Sequence, residues 1–178
     1  MQALYRNVME KEINRRAESL YNIIGKTPGF DIINAVEKLG GRVIMVENTA
    51  LDFGIDAKID TSETEEGIDF KIFCVKENIE EYIRFCIAHE LGHLFLHMTK
   101  KDENGNIELV KDSFYKTNND FSIYEWEAEE FAACFLMPED EFKIQIEVQR
   151  GDVEKIAKKF KVPTQSVFMR CKRLGIMY

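Results

Sequence analysis

The sequence predicts an α+β fold in which a small twisted sheet lies against one central helix and a helical extension follows at the C-terminal end. Three observations carry this expectation. Apolar residues recur at helical spacing at both ends of the chain. Three strand-like segments fall between residues 42 and 75. Between them and the C-terminal helices lies a segment, uncharged around its centre, containing His89-Glu90-Leu91-Gly92-His93.

A chain of 178 residues, 45% hydrophobic and 31% charged, suffices for one cored domain with a small appendage. The expected division is residues 1–138 for the main domain and 139–178 for the extension. No run of 18 apolar residues occurs, and the start Met1-Gln2-Ala3-Leu4-Tyr5-Arg6 lacks the apolar core of a secretory signal, so a cytoplasmic protein with no membrane partner is expected. Cys74, Cys86, Cys134 and Cys171 are far apart and form no C-x-x-C pair, which reads as buried reduced thiols. The net charge of −8 is uneven: residues 151–178 carry seven Lys/Arg against Asp152 and Glu154, a net of +5, leaving −13 on the remainder. An acidic body repels nucleic acid and confines any basic surface to the tail.

Taken in order, residues 3–24 place Leu4, Val8, Ile13, Ala17, Leu20, Ile23 and Ile24 among charges at helical spacing, predicting a long amphipathic helix. Thr27-Pro28 then predicts a helix start and Gly40-Gly41 its stop, around Ile32, Ile33, Val36 and Leu39. Strands are expected over Arg42–Val46, Phe53–Ile59 and Ile68–Val75, with a solvated loop at Asp60–Gly67. Asn78 with Glu81 forms a capping box for the next helix, Ile79–His97. Residues 98–120 lose periodicity and predict a long loop next to the site, with a short hairpin around Ile107–Val110.

On a helix, His89 and His93 stand one turn apart on one face and can offer two imidazoles to one metal ion. Glu90 is rotated about 100° from His89, badly placed as a ligand on the same ion but well placed as a base toward a water there. This is the physical content of the H-E-x-x-H spacing. A catalytic zinc keeps three protein ligands and one open position. His97 continues the series, yet eight helical residues separate it from His89 by about 12 Å, too far for a shared ion; it reads as a helix-end or pocket residue. The remaining candidates lie in Tyr124–Pro138, a helix ended by Pro138. Glu127 shares the apolar stripe of Phe131, Cys134 and Phe135, and a carboxylate on such a face needs a buried partner such as a metal ion. Glu127 is therefore the expected third ligand, with Glu130 and Glu125 as lesser candidates.

His89-Glu90-Leu91-Gly92-His93, followed by Glu127-Ala128, Phe131-Ala132-Ala133 and Leu136-Met137-Pro138, resembles the ImmA/IrrE family of zinc metallopeptidases of bacteria and mobile genetic elements. The likeness in layout runs from about residue 28 onward. It implies one zinc ion on His89, His93 and Glu127, with Glu90 as the catalytic base. It also implies a protein substrate, a helix-turn-helix repressor whose cleavage releases stress-response or excision genes. The chain departs from the family pattern at Glu129, where Asn is common, and at Phe135, where Leu is common.

In the tail, Val153, Ile156, Ala157 and Phe160 share one helix face, Lys161-Val162-Pro163 turns, and Thr164 caps a second helix bearing Val167, Cys171 and Leu174. This is helix-turn-helix layout. Lys158, Lys159, Lys161, Arg170, Lys172 and Arg173 make DNA contact conceivable, but the start of the second helix has no Arg/Asn cluster for reading bases, which favours packing or partner docking.

The combined expectation is a zincin-like domain that hydrolyses a peptide bond. An extended substrate would pair with an exposed strand edge, Ile68–Val75 being the expected one, and the oxyanion donor would come from Tyr124, Tyr115 or His97. Two rival classes remain at this level: a regulator that binds DNA through its basic helices, and a module that sequesters a repressor or toxin without cutting it.

Overall fold

The computed structural model describes residues 2–62, 66–101, 107–109 and 121–176. Tyr115 and most of the expected 98–120 loop lie outside the described residues. Helix α1 (Gln2–Ile24) leads into α2 (Ile32–Lys38) and the strands β1 (Gly41–Val46), β2 (Ala57–Asp60) and β3 (Phe70–Val75). The motif helix α3 (Glu80–His97) follows, then a small ribbon of β4 (Thr99–Lys101) and β5 (Ile107–Leu109), then α4 (Phe121–Leu136), α5 (Glu139–Val148), α6 (Val153–Phe160) and α7 (Thr164–Arg173). An α+β fold is thus what the chain forms. No helix among the described residues is long and apolar enough to cross a membrane.

Several boundaries differ from the expected ones for local reasons. The α2 helix is capped by Asp31, whose carboxylate accepts from the Ile33 and Asn34 N–H groups at 2.9 and 3.1 Å. Thr27 instead bonds the Gly25 carbonyl within a preceding turn. Residue Phe53 is fully exposed, so the second strand starts only at Ala57, after a turn closed by Ile55 N–H on Asp52. Asn78 does not cap α3: its amide donates to Asp56 at 2.9 Å, and the cap residue is Ile79, without a side-chain bond. Pro163 rather than Thr164 holds the cap position of α7.

The three-stranded sheet has the order β1-β3-β2, with β1 parallel and β2 antiparallel to β3. This overturns the expected substrate edge. Residues Phe70–Val75 are central, bonded on both sides, and so offer no free ladder; the edges are β1 and β2. Phe70, Ile72 and Cys74 point into the core, which explains why their alternation stood out in the sequence.

One buried cluster joins Ile13 and Ala17 of α1, Ile72 of β3, Leu91 and Leu94 of α3, and Phe131 and Phe135 of α4 to Phe160 and Val167 of the C-terminal helices. Fully burying each such large side chain contributes roughly 1.5–3 kcal/mol. The C-terminal helices are also clipped on by buried cations. Arg84 of α3 donates to the carbonyls of Lys161 and Phe30 at 3.0 and 2.5 Å. Arg170 of α7 donates to the Met137 carbonyl at 3.1 Å and stands 3.6 Å from Glu130, while Arg173 reaches Glu130 at 2.7 Å. Two arginines of the expected basic surface are thereby turned against α4.

Candidate metal centre

The site is made by α3 and α4 lying unusually close. A Cβ added at Gly92 would stand 2.9 Å from both Cα and O of Ala128 and 3.2 Å from Cβ of Phe131. Only glycine lets the backbones approach this far, so the fourth residue of the H-E-x-x-H segment sets the distance across which α4 faces the histidines.

His89, three residues before Gly92, and His93, directly after it, turn their rings toward one another. Their Nε2 atoms stand 3.0 Å apart. The Glu125 carboxylate closes the group, with one oxygen 3.2 Å from His89 Nε2 and the other 3.2 Å from His93 Nε2. Ligand atoms held about 2.0–2.1 Å from one tetrahedral ion are about 3.3 Å from one another, so two imidazole nitrogens and a carboxylate at 3.0–3.2 Å have the donor chemistry and spacing of a cation site. The His93 side chain is 1% exposed, His89 21% and Glu125 34%. The group is thus walled on the His93 side and open toward solvent on the other, where a water or substrate could approach. Hydrogen bonds from His89 and His93 hold the Glu125 carboxyl well below the usual carboxylate range, against its desolvation. It remains anionic, as a ligand must.

Glu127, the expected third ligand, is placed elsewhere. Its carboxylate lies 2.9 Å from His97 Nε2, both side chains being 4% exposed. The reasoning that a carboxylate on a core-directed face needs a buried partner holds, but the partner here is an imidazole. Glu130, another candidate, is taken by Arg170 and Arg173, and Glu129 lies 3.7 Å from Arg173. Glu125 is the carboxylate of α4 that meets both motif histidines. Periodicity alone favoured Glu127 because Glu125 is only half-buried and lies off the apolar stripe; the signal that could have found it is the glycine at 92, which fixes how α4 crosses α3.

Glu90 is buried, and its Oε2 accepts the Ile59 backbone N–H at 2.9 Å. The edge strand β2 is thereby tied to the residue expected to act as base. Tyr124 packs edge-on against His97, ring centroids 4.8 Å apart. His97 Nδ1 in turn stands 3.2 Å from His93 Nδ1, and burial pushes the His97 pKa below its ordinary value despite the opposing bond to Glu127.

With this geometry in place, a family model described as the IrrE N-terminal-like domain (Peptidase_M78) matches residues 65–172. That span holds the motif helix, α4, α5, α6 and all of α7 but its last residue. The chain belongs to this peptidase family. Membership in the IrrE N-terminal-like family agrees with the ImmA/IrrE resemblance carried by the two helix motifs. Among solved structures, a Mycobacterium tuberculosis transcriptional regulator is similar in fold, with a TM-score of 0.63 at 18% identity over 93% of this chain. The chain spans 46% of that structure's length. No curated protein sequence matches.

Proposed function

We propose that this protein is a zinc-dependent endopeptidase with a protein substrate, and that His89, His93 and Glu125 hold the ion. The observation that carries the reading is the convergence of two ring nitrogens and one carboxylate at 3.0–3.2 Å, open to solvent on one side. A zinc ion at this position would lower the pKa of a coordinated water toward ~7 and polarise the scissile carbonyl. The chain's own residues do the rest. The Glu90 carboxylate takes the proton of the attacking water and returns it to the leaving amine. The Ile59 N–H holds its Oε2 at 2.9 Å and so orients the carboxylate beside the two motif histidines. An extended substrate adds along the β2 edge, which runs beside α3 at Glu90, rather than along β3. Of the expected oxyanion donors, Tyr124 remains the candidate among the described residues, because both ring nitrogens of His97 are engaged by His93 and Glu127.

The family resemblance points to a helix-turn-helix repressor as the substrate class, acting in the cytoplasm to derepress stress-response or mobile-element genes. The test is to load the purified chain with zinc, mix it with the repressor encoded beside it, and look for fragments. Glu90→Gln should keep one zinc per chain and yield no fragments. Cleavage by Glu90→Gln at the wild-type rate removes Glu90 from the mechanism. Intact repressor bound equally by both proteins shows a sequestering module instead of a peptidase.

A further inference from the structure

His93, His97 and Glu127 form a line running inward from the candidate metal centre. His93 turns Nε2 toward His89 and Glu125 and its other nitrogen, Nδ1, toward His97 Nδ1 at 3.2 Å. His97 turns Nε2 to the Glu127 carboxylate at 2.9 Å. The side chains of all three are 1–4% exposed, whereas His89 at the outer end is 21% exposed.

The chemistry of the line fixes its protons. A histidine that offers Nε2 as a ligand carries its hydrogen on Nδ1, which must then be donated. Facing it is another Nδ1, which can accept only if the His97 hydrogen sits on Nε2. That hydrogen needs an acceptor in turn, and a buried carboxylate is the acceptor-only group. Each link has one consistent direction: His93 Nδ1–H to His97 Nδ1, and His97 Nε2–H to Glu127. A neutral amide or an apolar residue at 127 would leave the buried His97 free to reverse, setting two hydrogens or two lone pairs against each other at 3.2 Å.

We infer that Glu127 and His97 are positioning residues, a two-step relay that locks the tautomer and ring orientation of His93 for metal binding. This rests on the reading of His93 as a ligand and goes beyond it, because neither residue need touch the ion. Outer partners that orient a ligating imidazole typically account for 10–100-fold in metal affinity.

Zinc affinity of the full chain, measured by competition with a chromogenic chelator, tests the inference with Glu127→Gln, His97→Phe, the double variant and His89→Ala as control. Glu127→Gln and His97→Phe should each retain one zinc per chain but weaken binding about 10–100-fold, and the double variant should be little worse than either, because the two act in series. Ring nitrogen NMR of the zinc-loaded wild-type chain should show His93 protonated on Nδ1 and His97 on Nε2 only; this reading needs no variant to fold. His97 protonated on Nδ1, or both single variants binding within about twofold of wild type while His89→Ala loses zinc, overturns the relay and leaves the metal centre standing. Glu127→Gln losing zinc as completely as His89→Ala makes Glu127 a ligand and also overturns it. His89→Ala binding as wild type defeats the metal centre itself.

Discussion

Gly92 and Ala128 touch backbone to backbone: no side chain fits between them, since a Cβ at residue 92 would stand 2.9 Å from the Ala128 carbonyl oxygen. Everything that α4 brings to the motif histidines depends on this contact. Gly92→Ala should therefore force the helices apart, costing about 1–3 kcal/mol of stability and moving Glu125 away from His89 and His93. Chemical denaturation should show the loss, and zinc titration a weakened site. An alanine variant with unchanged stability and affinity would mean that the helices can separate without consequence.

Glu125 and Glu127 make opposite predictions about metal. If zinc binds the folded chain and not the unfolded one, it adds about 2.7 kcal/mol at a hundredfold excess over Kd, seen as a rise in Tm that a chelator removes. Glu125→Gln should abolish that rise. Glu127→Gln should only reduce it, because its carboxylate lies against His97, 2.9 Å from Nε2, and not at the His89–His93 pair.

The metal-free chain should lose stability as pH falls below about 6.5. Burial holds the His97 pKa beneath the ordinary imidazole value of 6.5, so just below that pH the unfolded chain takes up a proton that the folded chain refuses. Stability present above 6.5 is thus lost progressively as pH drops toward the folded pKa. Glu125, depressed from 4.5, acts in the same direction but only below about that pH. Thermal melts in chelator from about pH 7.5 to about pH 5 should slope accordingly, and His97→Phe should flatten the slope.

Arg170→Met should be among the most damaging changes outside the site. It leaves the 5% exposed Glu130 with less compensation and the Met137 carbonyl without the Arg170 donor. Breaking a buried pair in this way costs roughly 3–5 kcal/mol. Lys155, by contrast, pairs with Asp152 on the surface, and Lys155→Met should change stability by less than about 0.5 kcal/mol. Equal effects in denaturant melts would show that the C-terminal helices are not held by Arg170.

The sequence by itself determined the α+β class, both motif helices, the His89/His93 pair and the peptidase family, because periodicity and i, i+4 spacing are local properties of one helix. It also showed that α4 carries more carboxylates than one metal ion can use. Which carboxylate goes where was decided only by the tertiary structure. Glu125, Glu127 and Glu130 lie within six residues, yet a crossing fixed at Gly92 sends the first to His89 and His93, the second to His97 and the third to Arg170 and Arg173. The same holds for the strands: alternation at Ile68, Phe70, Ile72 and Cys74 marked a buried face, but whether that strand is an edge or the centre depends on partners β1 and β2, which a period of two cannot name. Local pattern states what a residue must bury; only the packing of distant elements supplies what it is buried against.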